Sequence, residues 1–301
     1  MGRLPLGCLK TIRGRALGTA VLVLAVTLSL SAQTSSIAPA NLVRETADNE
    51  LKAAHENASF MFRSRRETPH GSQTKLFVQT RDATAGLLIA INDHPLTEEQ
   101  RRDEQTRLQN LISNPDELRR KQKQEKEDAD RESRIMRALP NAFIYEYDGI
   151  ETGPPGIGKQ GDELVRLKFR PNPKFNPPSR VEQVLAGMKG YLLIDANQHR
   201  IAKIDGTLYK DVSFGWGILG HLDKGGQFQV DQASIGDGDT WQITRMSLNF
   251  TGKVLVFKNV VIKSEETFSD FRRVRNDLTF AQGVDLLKRE ESASAANRSG
   301  E

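Results

Sequence analysis

Short segments in which apolar and charged residues alternate recur through most of this chain. The segment LVRLKFRP (164–171) puts Val165, Leu167 and Phe169 on one side and basic residues on the other. The segments SFMFRSRRET (59–68) and WQITRMSLNF (241–250) follow the same rule. A period of two is the spacing of β-strands. So many strands at short intervals predict a mainly β (α+β) protein with one antiparallel sheet, which must close or curl to protect its edges.

Two stretches break this pattern and predict helices. From Asn41, apolar residues recur at spacings of three and four, which is typical of a helix packed on one side. Residues 97–138 predict a helical hairpin, because Thr97 and Gln100 have capping-box spacing and Pro115 suits a first helical position. Between Glu98 and Arg137, 11 acidic and 11 basic residues occupy 22 of 40 positions. The hairpin is therefore a solvated insertion, a mobile lid over a cavity, or an arm that binds a protein partner.

The N-terminus has the parts of a secretory signal. Residues 1–31 contain four basic residues and no acidic one, and an apolar run extends from Ala16 to Leu30 before the small residues Ser31 and Ala32. The run is shorter than the span of about 20 residues that a transmembrane helix needs. We therefore expect a Sec-type signal peptide over 1–31, with an uncleaved anchor as the alternative, and a linker over 32–40. The mature protein would be periplasmic or otherwise extracytoplasmic.

Removal of the signal changes which partners the composition allows. The whole chain has 43 basic and 39 acidic residues, and loss of the four in the signal leaves 39 of each. This balance argues against nucleic acid as a partner, since such proteins need a basic face. The single cysteine, Cys8, precedes the apolar run, so it is not placed for lipidation, and the mature chain has no cysteine for disulfides or thiolate metal sites.

Two motifs resemble catalytic or nucleotide sites but do not meet their requirements. GPPGIGK (153–159) has the G-x4-G-K spacing of a phosphate-binding loop, yet Gln160 takes the place of the hydroxyl residue and a strand follows instead of a helix. No two of the five histidines stand three or four residues apart. We therefore expect no enzyme, no catalytic residue, no metal site and no cofactor.

Two segments carry a resemblance to a known family. KGYLLIDANQHRIAKIDGTL (189–208) and the segment from Asp239 to Val274 resemble the mid-chain and C-terminal hairpins of the LolA-like half-barrel, the fold of periplasmic lipoprotein carriers. In that family, a hairpin with isoleucine–aspartate followed by a basic residue precedes a strand pair that ends the sheet. The resemblance implies an incomplete barrel whose hydrophobic concave face is covered by helices that move aside for lipid.

The expected architecture is a curled antiparallel sheet or unclosed β-barrel, covered by the N-terminal helix and by the charged helical hairpin. It comprises a half-barrel β domain over 41–276 with the helical insertion at 97–138, and a short helix and disordered tail over 277–301. The turns Asp195–Gln198 and Thr251–Lys253 are expected to close two of the hairpins.

The expected function is non-catalytic binding of a lipid or of a lipidated protein end, with transient membrane contact. The alternative is a periplasmic structural or interaction protein that binds a protein partner through 97–138. The predicted ligand-binding residues share an apolar character and a place in the strands: Phe60, Phe62, Leu76, Leu87, Ile89, Val165, Leu167, Phe169, Trp216, Met246, Leu248, Phe250, Leu255 and Phe257. Trp216 lies in a glycine-rich turn that is either a contact with lipid or a plug of the barrel mouth.

Expression of all 301 residues in an export-competent bacterial host tests the predicted signal peptide. We expect the exported protein to have an intact mass that corresponds to a first residue at or just after Ala32. Recovery of the uncleaved chain from the membrane fraction would establish the anchor instead.

Overall fold

The computed structural model describes residues 38–56, 58–214, 220–236, 240–254 and 258–298. The predicted signal (1–31) and the predicted ligand residues Trp216, Leu255 and Phe257 lie outside these ranges. The helices are α1 (Pro39–Ala53), α2 (Glu98–Ser113), α3 (Pro115–Ala142), α4 (Arg180–Gln183, continued by a 3-10 turn over Val184–Gly187) and α5 (Phe280–Arg298). Across the described ranges, none of the helices combines the length and the apolar content needed to cross a bilayer.

The strands form one antiparallel sheet. Those of the N-terminal half are β1 (Ser59–Thr68), β2 (Gly71–Val78), β3 (Ala85–Ile91), β4 (His94–Pro95), β5 (Phe143–Thr152) and β6 (Glu163–Pro171). Those of the C-terminal half are β7 (Met188–Asp195), β8 (Ile201–Leu208), β9 (Val212–Phe214), β10 (Gly220–Leu222), β11 (Gln227–Ile235), β12 (Thr240–Val254) and β13 (Lys258–Val274). Their order is β4-β3-β2-β1-β13-β12-β11-β8-β7-β6-β5, with β10 paired to β12 and β9. The sheet therefore ends at β4 and β5 and is not closed into a barrel.

Helix α3 contacts the sheet near both ends of this strand order. Near β3, the carboxylate of Glu125 accepts a hydrogen bond from the backbone N–H of Thr84 at 3.0 Å. In β5, the hydroxyl of Tyr145 donates to the carbonyl oxygen of Leu139 at 2.8 Å. The helix rise places Glu125 and Leu139 about 21 Å apart, whereas strands β3 and β5 would lie about 43 Å apart in a flat sheet. The sheet is therefore curled, and α3 bridges its opening.

The side of the sheet that α3 covers near β5 is called the inner face, and the opposite side the outer face. Leu42 and Val43 of α1 and Leu139 of α3 pack on the inner face against β5–β8. Leu167 and Leu192 are paired there across β6 and β7 and are 1% and 2% exposed. The N-terminal helix and the inserted hairpin thus cover an unclosed antiparallel sheet, which confirms the fold class predicted from the sequence.

The outer face has a separate apolar core, at the other end of the sheet. Phe280, Val284 and Leu287 of α5 pack there with Leu108 of α2 against β1–β3. The sequence prediction gave a short helix and a disordered tail after residue 276, but α5 continues to Arg298. Its start has a capping box in which Thr279 and Gln282 exchange side-chain and backbone hydrogen bonds.

One of the two predicted turns is observed. In the β7–β8 hairpin, the carboxylate of Asp195 accepts hydrogen bonds from the N–H groups of Asn197 and Gln198 at 2.9 and 2.7 Å. The prediction of a turn over Thr251–Lys253 is wrong. These residues continue β12, because Gly252 pairs with Val260 on one side and packs against β10 on the other. The connection to β13 falls after Val254.

Removing buried volume from α5 tests the outer core. The change Leu287→Ala should lower the free energy of unfolding by about 2–5 kcal/mol, since Leu287 is fully buried. The exposed neighbour Asp285 gives the control Asp285→Ala, which should stay within about 0.5 kcal/mol of the parent protein in urea unfolding. Equal midpoints for all three proteins would show that α5 does not stabilise the fold.

Candidate functional site

The structure divides the predicted ligand residues between the two faces. Paired residues of antiparallel strands point to the same side of the sheet, and neighbours along a strand point to opposite sides. The strand register therefore places eight of them on the inner face: Phe60, Phe62, Val165, Leu167, Phe169, Met246, Leu248 and Phe250. Leu76, Leu87 and Ile89 belong to the outer core instead, where α2 and α5 pack against them. The inner face is the candidate site.

Strand β2 shows why alternation alone did not separate the two sets. Leu76 and Val78 face α5, while Phe77 between them lies on the inner face opposite Phe62. Both sides of β2 are apolar because each side meets other apolar groups. A sequence pattern that is apolar at consecutive positions does not say which residue faces which side.

Four phenylalanines form an aromatic cluster on the inner face near β1. The ring of Phe62 lies 5.4 Å from that of Phe77, 6.1 Å from that of Phe268 and 5.6 Å from that of Phe271. All four side chains are only half-buried. Phe77, Phe268 and Phe271 were not among the predicted residues. Phe268 and Phe271 are three positions apart, and they reach one face because a bulge at Asp270 interrupts the alternation of β13.

The apolar surface continues from this cluster across the centre of the sheet. Leu248 of β12 pairs with Phe228 of β11, and Met246 pairs with Val230, which in turn pairs with Ile204 of β8. Met246, Leu248, Phe228 and Ile204 are half-buried. The helices make their main contacts elsewhere, α1 and α3 on β5, and α5 on β2 and β3. The centre of the inner face is therefore apolar and incompletely covered by the described residues.

A polar pair interrupts the apolar surface between β1 and β12. Ser64 lies on the inner face and is 3% exposed, and its hydroxyl donates a hydrogen bond to the carboxylate of Glu266. Glu266 pairs with Met246 across β12 and β13 and is half-buried. A ligand on this face would meet one carboxylate, already hydrogen-bonded, among apolar groups.

The outer face of β5, β6 and β7 carries ion pairs. The carboxylate of Asp148 accepts hydrogen bonds from Lys168 at 2.5 Å and from Arg166 at 2.9 Å. These bonds lower the pKa of the Asp148 carboxyl group, and the bond from Lys168 has the larger effect. The guanidinium of Arg166 also lies 3.8 Å from the ring centre of Tyr191. These charged side chains share the outer face with a small buried cluster of Leu164, Leu193 and Trp241, against which Ile157 of the β5–β6 loop packs. That apolar cluster is filled, so it leaves little apolar surface for a ligand on this side.

Helix α1 is attached to the sheet by a partly buried ion pair. The carboxylate of Glu50 accepts two hydrogen bonds from the guanidinium of Arg200, both at 2.9 Å, and one from the backbone N–H of Ile201 at 2.8 Å. The side chain of Asn49 donates to the carbonyl oxygens of Gln198 and His199. The β7–β8 turn thus holds one end of the helix that covers the inner face.

Other features of the sequence do not converge on the inner face. The loop with the G-x4-G-K spacing joins β5 to β6, and the N–H of Gly158 within it donates to the carbonyl oxygen of Gln232 at 2.7 Å. A cavity of about 260 Å³ lies against the outer side of β1 and α5, where Arg63 pairs with Asp270 and Arg272 pairs with Glu290. All four of those charges already have partners.

Comparisons with known proteins add little to this geometry. No family model matches the sequence, and no curated protein matches it. A crystal structure described as an outer membrane lipoprotein-sorting protein domain from Vibrio parahaemolyticus is 10% identical, with a TM-score of 0.31, and the alignment covers 82% of this chain and 99% of that one. A DUF1329 family protein from Desulfovibrio piger ATCC 29098 is 11% identical, with a TM-score of 0.30 and coverages of 83% and 100%.

The description of the first structure agrees with the resemblance found in residues 189–208 and 239–274. Because both TM-scores and both identities are low, neither alignment carries an argument about this chain. The fold rests on its own strand order and register.

Loss of the ion pair that attaches α1 to the sheet should destabilise the protein. The change Glu50→Ala leaves Arg200 without its partner, and since these side chains are only 9% and 14% exposed, we expect a loss of about 3 kcal/mol in the free energy of unfolding. The change Asp48→Ala removes an exposed carboxylate from the same helix and serves as the control. Urea unfolding that gives the same free energy for both variants would contradict the assignment.

Proposed function

We propose that this chain is an exported, non-catalytic binding protein that shelters a lipid, or the lipid-modified end of another protein, on its inner face. The observation that carries the proposal is the row of half-buried apolar side chains in the centre of that face. It runs from the aromatic cluster around Phe62 through Met246 and Leu248 to Phe228 and Ile204.

The contrast with the covered part of the same face supports an apolar ligand. Leu167 and Leu192, under the helices, are 1% and 2% exposed, as in a filled core. Met246 and Leu248 lie on the same face but keep part of their surface in water. Burial of apolar surface contributes about 25 cal/mol per Å², so an acyl chain laid along these residues would gain free energy from both partners.

Ligand exchange would depend on α3. The helix bridges the opening of the sheet, and near β3 its attachment includes a hydrogen bond to the backbone of Thr84. Near β5 it is held by the apolar core and by the buried hydroxyl of Tyr145, whose pKa is raised by burial. The proposal is that the end of α3 near β3 moves more readily than the end near β5, and that this movement admits the ligand.

The proposed location is the periplasm or another extracytoplasmic compartment. The predicted signal over 1–31 supports export, and a carrier that meets lipids in water is needed where membranes are separated by an aqueous space. The absence of a cysteine after Cys8 is compatible with either free solution or docking to a membrane surface.

Binding of a protein partner through residues 97–138 remains the alternative. Many charges of α3 pair along the helix itself, as Lys121 does with Glu125 and Lys126 with Asp130. Pairs at this spacing stabilise a solvated helix without any partner. The geometry therefore favours lipid binding, with the alternative as an outcome of the same experiment.

Binding of a fluorescent fatty acid tests the proposal. The mature chain from Ala32, purified without detergent, should bind cis-parinaric acid, and palmitate should displace it. Leu248→Asp places a charge on the inner face and should weaken binding at least about tenfold, because a carboxylate among acyl groups is strongly disfavoured. Asn249→Asp is the matched control, since Asn249 is the next residue of β12, exposed and on the outer face.

Thermal unfolding of both variants separates loss of binding from loss of fold, and Leu248→Gln provides a milder change at the same position. Wild-type protein that binds no fatty acid, and whose native mass spectrum shows no co-purified lipid, would overturn the proposal. Deletion of 115–138 would then be tested for loss of a protein partner.

A further inference from the structure

Strands β12 and β13 extend beyond the ends of β1 and β11, and their residues 250–254 and 258–264 are called the arm. On its β12 side, residues 252–254 pair with β10, so the open edge of the arm is that of β13. Phe250 pairs with Ile262 and Val254 pairs with Lys258 along the arm. The pairing of β13 with β1 begins only at Glu265, which lies opposite Glu67. Within the described ranges, residues 258–264 therefore have β12 as their neighbour on one side and no paired strand on the other.

The arm exposes apolar side chains on both of its faces. Val261 is 66% exposed and Ile262 is 41% exposed. They are consecutive in the strand, so they point to opposite sides. Exposed apolar residues that lie together on a folded domain mark interaction sites, and here two consecutive residues occupy the two sides of the unpaired edge of β13.

Lysines flank these apolar residues. Lys253, Lys258 and Lys263 are exposed, and the sequence from Phe250 to Ser264 has three lysines and no acidic residue. Beside the arm, the carboxylate of Asp223 accepts a hydrogen bond from Thr251 at 2.7 Å and lies 3.1 Å from His221, and Glu265, the first residue after the arm, pairs with Arg245. The arm is thus cationic around an apolar centre.

We propose that this arm docks the protein on the surface of an anionic lipid bilayer, with Val261 and Ile262 entering the interfacial region and the three lysines contacting phosphate head groups. Apolar residues combined with flanking lysines are the chemistry of interfacial binding. Lysine side chains extend their apolar stems along the inserted segment and keep their ammonium groups among the head groups.

A bilayer surface fits the arm better than a protein groove does. A groove would have to enclose Val261 and Ile262 on opposite sides of the strand, whereas the interfacial layer can surround the unpaired edge of β13 and contact both side chains. The unpaired backbone edge of residues 258–264 limits the depth, because it must remain hydrogen-bonded to water or head groups. The arm should therefore insert shallowly.

The arm also joins the candidate site. Ile262 lies on the inner face opposite Phe250, and Leu248 lies two residues further along the same strand and side. The apolar surface of the arm is thus continuous with the inner face. The docking inference rests on the arm alone, however, and does not require that the inner face bind an acyl chain.

Vesicle flotation tests the inference with the mature chain from Ala32. It should float with vesicles of phosphatidylglycerol and phosphatidylethanolamine and bind much less to pure phosphatidylcholine. Val261→Asp should weaken binding at least about tenfold, and replacing the three lysines by serine should abolish the preference for anionic vesicles. Ile150→Asp on edge strand β5 is the control, since Ile150 is 53% exposed and far along the strand order from the arm.

Val261 is largely exposed on the outer side of the arm, so Val261→Asp should keep both the thermal stability and the binding of cis-parinaric acid. This separates failure of docking from failure of the proposed function. Wild-type protein that does not float with anionic vesicles would overturn the inference. Equal binding by the wild type and by a folded Val261→Asp variant, or equal losses in Val261→Asp and Ile150→Asp, would do the same.

Discussion

The antiparallel pairing of β1 with β13 is the constraint on which the rest of the structure depends. It joins strands from the two ends of the described chain, and so merges the β1–β4 hairpins with the later strands into one sheet. Two consequences follow. Strands β4 and β5 are consecutive in sequence but lie at opposite ends of the sheet, so residues 96–142 must cross its whole width. The chain that leaves β13 lies close to β2 and β3, where α5 packs.

This topology gives the charged insertion a structural reason. A connection that crosses a curled sheet over water needs length and stiffness, and α3 supplies both as a helix of 28 residues. Its middle contacts solvent, so its side chains are charged and pair with one another. Its large apolar residues lie near its two ends, where Leu118 packs on the outer core and Ile135, Met136 and Leu139 contact the inner core. The charged composition, which from sequence was compatible with a solvated insertion, a lid or a partner-binding arm, is also what a bridging helix requires.

The two faces of the sheet are covered unequally. On the outer face, helices bury β1–β3, while the strands from β5 to β12 carry ion pairs around a small buried cluster of Leu164, Leu193 and Trp241. On the inner face, helices bury β5–β8 and leave the centre half-covered. Alternation in β6 and β12 was sufficient to place Val165 to Phe169 and Met246 to Phe250, because polar residues alternate with apolar ones in those segments. It failed for Leu76, Leu87 and Ile89, since β2 and β3 are apolar on both sides. Helix α5 was underestimated, although Thr279 and Gln282 have the same capping-box spacing that was recognised at Thr97 and Gln100.

The sequence by itself determined the local structure: the strands, the long charged hairpin and the Asp195 turn. It also determined which side of a strand is apolar wherever the other side is polar. These depend on residues a few positions apart, where periodicity and capping act. Only the tertiary structure decided which strands are neighbours, where the helices lie, and which apolar residues share a surface. Those outcomes depend on contacts between distant segments, such as β1 with β13 and α3 with both ends of the sheet, and no local pattern encodes them. The aromatic cluster shows the difference, because Phe62, Phe77, Phe268 and Phe271 meet only when the first and last strands of the described chain pair.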